Sequence, residues 1–491
     1  MRQSRGDEKT GLTHLQVILS ILACQLSATR AKMFMTIVAF AAVSVAVLSY
    51  HIYSSVFSGP LTRVPGPKSF ALTKVRLIYE EYKGLRTRKL DALHRRYGPV
   101  VRVAPNEVAF NSISALRTIY GAGSGFERTD FYHIFAVYGR ENMFSFTSAK
   151  QHAQRKKIFA SAYAKSVMLK GENAGMIEAK VRKFLELLER EGRSSDIFST
   201  LHYFSLDNIT EFLYGDFGKT SCLDGAEEDR ALLSDVMEST AASRRLTWLT
   251  INFPKFTAWL YSRTGAMSSI AYQFFPMQTP TPYTGIRAHA MKAYGAFSNA
   301  SASERAQQSP SLISQLWNHH KTQKESGLDD LDIASECADH LDGGTDTTSD
   351  TLMFAIWALS RPENKKFQQL LIDEVRSLSA DDLDNGIPQT GAADKLAYVD
   401  AVVKETLRLY SPLPASEPRS LDKTTTIDGY VIPPRTVVSI SPYSLHRNPS
   451  VFKEPLKFNP DRWLDHSQDL AEMKRHFWAF SSGGKMCIGM Q

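Results

Sequence analysis

The run Phe480-Ser481-Ser482-Gly483-Gly484-Lys485-Met486-Cys487-Ile488-Gly489, close to the carboxyl end of 491 residues, constrains this chain more than any other stretch. It sets one cysteine in a glycine-rich loop, two residues past a lysine. Glycines let backbone approach a flat ligand closely and turn amide N–H groups inward. Such a loop can deliver a thiolate to a metal while its N–H groups hold the sulfur's charge. The order Phe-x-x-Gly-x-basic-x-Cys-x-Gly fixes five positions at set spacing. The plainer reading is a small buried cysteine in a turn, the usual place of a free cysteine.

Two helical stretches raise the same question. Glu405-Thr406-Leu407-Arg408 sets an acid and a base three residues apart between Tyr398 and Tyr410, so the two charges share a helix face and can pair. By itself that is an ordinary surface ion pair. Gly343-Gly344-Thr345-Asp346-Thr347-Thr348 lies inside a long helical pattern from about Leu331 to Ser360, closed by Arg361-Pro362. Adjacent glycines in mid-helix cost roughly 1 kcal/mol each against alanine. Bare backbone there can open a groove for a small ligand, and a threonine hydroxyl beside a carboxylate can relay protons. The alternative is a glycine-kinked helix whose hydroxyls bond back to carbonyls. Downstream lies Phe458-Asn459-Pro460-Asp461-Arg462-Trp463.

Taken in this order, the motifs resemble those of the cytochrome P-450 family, the haem-thiolate monooxygenases. The resemblance implies a mainly α fold with small β-sheets (α+β). It implies haem b (iron protoporphyrin IX) held by Phe480, Gly483, Lys485, Cys487 and Gly489, with the Cys487 thiolate as axial ligand of the iron. Arg462 would join Glu405 and Arg408 in a buried network that locks the cysteine loop from behind. Loss of one member would strand a buried charge. Asp346 and Thr347 match the acid–alcohol pair that helps protonate dioxygen. The basic stretch Lys150 to Ala164 matches a helix that points a cation at a haem propionate, with Lys156 as the positional match and Arg155 as the alternative. Arg419 is a further propionate candidate. Lysine offers a point charge where arginine offers a planar fork, and Lys485 also stands where most members carry arginine or histidine. Each of these cations has a solvated-surface reading as well.

The activity so implied is insertion of one oxygen atom from O2 into a lipophilic small molecule, with electrons from NADPH through a separate NADPH-cytochrome reductase. The style of the sequence is similar to filamentous-fungal members that tailor secondary metabolites. Two other readings stand beside it: a haem-thiolate isomerase, dehydratase or peroxide-using enzyme, and an inactive membrane scaffold. Family members continue past the cysteine with a helix along the haem and further strands. This sequence stops at Gln491, four residues after Cys487, so the expectation is a fold without those elements that holds haem poorly.

Composition narrows the alternatives. The net charge of +7 comes without a lysine/arginine block beyond Arg155-Lys156-Lys157, which gives no footing for nucleic acid. A basic face of Lys474, Arg475 and Lys485 would steer an acidic electron-donor protein, or be ordinary surface. Four scattered cysteines (Cys24, Cys222, Cys337, Cys487) form no disulfide framework and suit a reducing compartment. Gly121-Ala122-Gly123-Ser124-Gly125 looks like a nucleotide loop but has Phe126 where the last glycine belongs, and it lacks βαβ context. It reads as a flexible loop, which again leaves electron supply to another protein. His319-His320 are adjacent rather than at metal spacing and read as surface.

Met33 to Tyr50 is an uncharged run of 18 residues, near the lower limit for a membrane span. A secretory signal is the rival reading, but no clear small-x-small cleavage site follows. Pro60, Pro65 and Pro67 then stiffen a hinge. Arg63, Lys68, Lys74 and Arg76 argue for a cytosolic carboxyl side, while Arg2, Arg5, Lys9, Arg30 and Lys32 before the run weaken that asymmetry. The expected organisation is an extension over 1–32 that native translation from Met33 would omit, an anchor over 33–53, a hinge over 54–69 and the catalytic domain over 70–491. The expected location is the endoplasmic reticulum membrane, crossed once, with the domain cytosolic. The sequons at Asn208 and Asn299 carry no meaning there. VVRVA and EVAFN on either side of Pro105-Asn106 predict a hairpin, and residues 426–441 predict further strands. Trp248, Phe253, Phe256 and Trp259 fall where the family roofs its substrate pocket; core or membrane-facing packing would use them equally.

Overall fold

The uncharged run forms part of one continuous helix, α1 (Lys32–Ser58), in the computed structural model, which describes residues 32–234, 241–261, 265–274, 285–322 and 328–490. The extension over 1–32 lies, apart from Lys32, outside the described residues. The apolar window of α1 has a mean hydropathy of 2.1 and no residue buried in the protein. Among the described residues it is the one helix long and apolar enough to cross a membrane. Gly59 ends it in extended backbone, and a turn begins at Pro60.

Alternating apolar residues then build a sheet. β1 (Val100–Ala104) and β2 (Glu107–Phe110) pair antiparallel across Pro105-Asn106, with Val101 opposite Ala109. Ser112 caps α2 (Ile113–Tyr120) by accepting the Ala115 N–H, as a helix start prefers. The glycine stretch 121–125 is a loop leading to β3 (Glu127–Arg128). Ser148 caps α3 (Ala149–Phe159) and Asp196 caps α4 (Ile197–Tyr214). α5 (Gly285–Asn299) precedes the longest helix, α6 (Asp330–Ser360), which opens on an Asp329/Asp332 capping box and ends where Pro362 forces Arg361 extended. α7 (Ala397–Leu409) carries Glu405 and Arg408. β4 (Arg419–Ser420), β5 (Val437–Ile440) and α8 (Leu470–His476) complete the frame.

The five strands run in the order β1-β2-β5-β4-β3, with β2 and β5 parallel and the other neighbours antiparallel. Val108 lies opposite Val438, and Arg128 lies opposite Arg419, so the sheet stitches the two halves of the chain together. Residues 425–432 add a separate hairpin. α6 runs through the middle, packed along α4 and α5 over a core that includes Phe159, Leu206, Leu213, Ile333, Cys337 and Leu341. The result is mainly helical with small sheets. His319 and His320 are half-buried rather than on open surface, and His320 faces Asp330 at 3.6 Å.

Candidate active site

The cysteine loop is shaped by what lies beneath it. Gly483 has φ +64°, and a Cβ there would stand 2.2 Å from the Tyr120 carbonyl oxygen, so both conformation and space demand glycine. Tyr120 is itself fixed, edge-on to Trp478 at 4.7 Å, and its hydroxyl accepts the Ile440 N–H at 3.0 Å. The end of α2 is thus a bed for the loop. Within the loop, the Cys487 N–H donates to Phe480 O at 2.8 Å and the Met486 N–H to Gly483 O at 3.2 Å. Ser482 Oγ accepts from Trp478 Nε1 at 3.0 Å. Ile488 packs against the core shared by α3, α4 and α6.

Cys487 differs from the other described cysteines. Cys222 and Cys337 are buried, and burial pushes both thiols up, out of reach of ionisation. Cys487 is exposed on its open side. The protein crowding its other side still raises its thiol, while the Gly489 N–H and the Lys156 ammonium pull it down. A soft, accessible sulfur beside a cation and an amide is a competent metal ligand.

Around it gathers a cluster of cations. Lys156 Nζ reaches Met486 O at 2.5 Å and Gly484 O at 3.4 Å. Lys485 Nζ donates to Thr147 O at 3.2 Å, and burial together with Arg419 and Arg128 brings its pKa down to about 7. Buried Arg128 donates to Met143 O and Phe144 O at 2.9 and 2.7 Å, and its Nε has no partner. His152, one turn before Lys156, is held neutral: burial, then Arg128, Lys156 and Lys485, push it down to about 3. Arg419 bonds Tyr132 Oη at 2.7 Å and pairs with Glu417 at 2.9 Å. Among the described residues, Arg128, Lys156 and Lys485 have no carboxylate partner. Two cations without carboxylate partners, and a third amine held near its titration point by burial with Arg419 and Arg128, call beside an accessible thiol for a polyanionic ligand that also takes a sulfur. A haem, with two propionates and an iron, meets both demands, so these residues fit it. Arg155, the alternative to Lys156, is instead committed to an ion pair with Glu336 on α6. Glu336 also accepts the Met143 N–H at 3.0 Å, and burial still lifts its pKa to about 7.

On α6, Thr347 Oγ1 donates to Gly343 O at 2.6 Å. Asp346 is half exposed, at 53%, with His202 Nε2 at 4.0 Å; burial of its inner side and then Asp350 raise its carboxyl, partly offset by His202. The paired glycines divide their work. A Cβ at Gly344 would meet Ile209 of α4 at 2.7 Å, whereas Gly343 faces open space. The kink-free helix therefore keeps one glycine for close packing and one on an open face.

Behind the loop, Glu405, Arg408 and Arg462 are buried together, at most 1% exposed. Arg408 spends all five guanidinium N–H groups: two on Glu405 at 2.8 and 2.9 Å, and three on the carbonyls of His446, Pro455 and Lys457. Arg462 Nε reaches Glu405 Oε1 at 3.0 Å, and Glu405 also accepts from Trp463 Nε1 at 3.0 Å and the Asn459 N–H at 2.9 Å. A lysine could not replace such a fork. His446 links this network to the loop. Its Nε2 accepts the Trp478 N–H at 2.8 Å, so Nδ1 carries the proton and donates to Arg408 O at 3.2 Å. The sequence reading missed His446, His152 and Arg128. Only His152 left a trace there, four residues before Lys156 on one helix face.

A helical fold that braces an accessible cysteine among cations suited to propionates defines a haem-thiolate enzyme. The chain belongs to the cytochrome P-450 family, whose sequence profile matches residues 64–491. It is a monooxygenase, and its cofactor is haem. It is similar to the cytochrome P-450 monooxygenase stcB of Emericella nidulans, 29% identical over 88% of this chain and 78% of that protein. It is also similar to the cytochrome P-450 monooxygenase aflV of Aspergillus parasiticus, 28% identical over 89% of this chain and 83% of the other. The cytochrome P-450 monooxygenase orf2 of Aspergillus niger is 26% identical, over 88% and 83% respectively.

Proposed function

We propose that this monooxygenase oxidises a lipophilic small molecule of fungal secondary metabolism, inserting one atom of O2 with electrons from NADPH through a separate reductase. In this reading α1 holds it in the endoplasmic reticulum membrane and the domain over 70–491 works in the cytosol. The observation that carries the proposal is the exposed Cys487, braced through Trp478 and His446 by the Glu405–Arg408–Arg462 network. Haem, when bound, supplies the activation of dioxygen and the oxidation of a C–H bond. Cys487 would hold the iron as a thiolate, with Phe480, Gly483 and Gly489 shaping its loop. Lys156, Lys485, Arg419 and Arg128 would hold the propionates; Lys156 and Lys485 must exchange backbone carbonyls for them. Asp346, half exposed and with its carboxyl raised by burial, would take protons from solvent and pass them to the hydroxyl of Thr347, the next residue on the helix.

The donor protein would meet the α8 surface, where Lys474 and Arg475 are exposed. Lys485 is half-buried and turned to Thr147, so it leaves that face to the other two. The test is optical. Reduced protein under carbon monoxide should show the red-shifted Soret band of a thiolate-ligated haem, and Cys487→Ser should abolish it. A band that survives that substitution overturns the proposal. Product formation with NADPH and a reductase, against peroxide alone, then separates the monooxygenase from a peroxide-using relative.

A further inference from the structure

We propose that the junction of α1 with the sheet binds the phosphate of an anionic membrane lipid. The proposal rests on the membrane reading of α1. A cavity of about 170 Å³ opens there, lined by Val56 at the end of α1, by Thr62, Arg63, Pro65 and Lys68 of the hinge, and by Arg102 of β1. It is too small for a drug-sized substrate, whose sites run from about 300 Å³ upward, and it suits a single phosphate ester. Arg102 is buried at 5% exposure. Its terminal nitrogens donate to Ser55 O at 2.6 Å and Pro105 O at 2.7 Å, and its Nε is buried without a partner. Its charge therefore meets carbonyls and, among the described residues, no carboxylate. The neighbouring acid, Glu107, is occupied by Arg86 at 2.7 Å and Lys74 at 3.9 Å. Arg63 and Lys68 stand exposed at the cavity and make no ion pair among the described residues; Lys68 lies over the Phe57 ring at 5.5 Å.

A buried guanidinium without a counter-charge favours an anion. Arginine forks recognise phosphate oxygens. The apolar side chains of α1, Phe40 and Val43 among them, are exposed and would place the bilayer on the amino side of the cavity. A lipid phosphate at the membrane surface then lies within reach of all three cations, and cytoplasmic-leaflet lipids supply the negative charge.

The haem-loaded full chain in uncharged-detergent micelles should bind fluorescent phosphatidic acid at least tenfold more tightly than phosphatidylcholine with the same acyl chains. Arg63→Gln with Lys68→Gln should erase the difference, while Lys474→Gln with Arg475→Gln on α8 should leave it intact. Millimolar inorganic phosphate should not displace the lipid. Equal affinity for the two lipids, equal losses in the two variant pairs, or displacement by free phosphate would each overturn the proposal. Alkaline carbonate extraction of the wild-type protein from membranes tests the anchor separately: release into the supernatant sinks the membrane reading whatever the lipid result.

Discussion

His446 has one lone pair and one N–H in its neutral form, and the fold uses both, on Trp478 N–H and Arg408 O. Protonation would destroy the acceptor, and burial with Arg408 nearby pushes its pKa down to about 3. The unfolded chain, with an ordinary histidine near 6.5, binds that proton more readily. Stability contributed by neutral His446 is therefore complete above about pH 6.5 and drains away as the pH falls toward 3, by up to ~1.4 kcal/mol per pH unit. His152 and His340, pushed to about 3 and about 4, add slopes of the same sign. We expect His446→Phe to start about 1–3 kcal/mol less stable, because Trp478 N–H and Arg408 O lose their partner. Its acid dependence should be shallower by one proton. Denaturant melts from pH 7.5 down to 4 check both; an unchanged slope would show that His446 is not held neutral.

At the scale of the element, α6 runs unbroken through two glycines because its neighbours treat them differently. Gly343→Ala meets nothing within 4 Å and should gain up to ~1 kcal/mol of helix propensity. Gly344→Ala drives a methyl into Ile209 and should lose ~1–3 kcal/mol to overpacking, less that same gain. Ile209→Ala should couple favourably with Gly344→Ala, since the Cγ1 and Cδ1 atoms, both met at 2.7 Å, are ones alanine lacks. Thermal unfolding of the three single variants and the double variant decides it. Opposite signs for adjacent glycines are the expected result, and equal costs would mean that the packing of α4 on α6 is not what selects Gly344.

Across the whole molecule, the apolar window of α1 has no residue buried in the protein, and α1 meets the domain near its carboxyl end, where His51 Nε2 lies 2.9 Å from Leu72 O and Ser55 O accepts from Arg102. Deletion through residue 50, which keeps His51 on Leu72, should move the protein from the membrane pellet to the supernatant while leaving the haem spectrum and the unfolding midpoint of the domain in place. Ser55, which receives Arg102, is retained in that variant. A fall in the midpoint would show that the deleted part of α1 packs on the domain after all. The site, by contrast, depends on the whole fold: α2 supports the loop, α3 brings Lys156 and His152, paired β3 and β4 bring Arg128 and Arg419, and α7 anchors the rear.

What the amino-acid order determined alone was whatever is encoded by near neighbours. The cysteine loop, the Glu405–Arg408 spacing, the long helix with its glycines, the hairpin at Pro105-Asn106 and the apolar helix all follow from residues within a few positions of one another. Backbone conformation and periodicity act over that range. Only the tertiary structure decided which charges are compensated. It consumed Arg155 on Glu336, left Arg128, Lys156 and Lys485 without carboxylates, turned Lys485 inward, and threaded His446 between Arg408 and Trp478. Charge balance and burial are set by groups tens to hundreds of residues apart in the chain, and no local pattern records them.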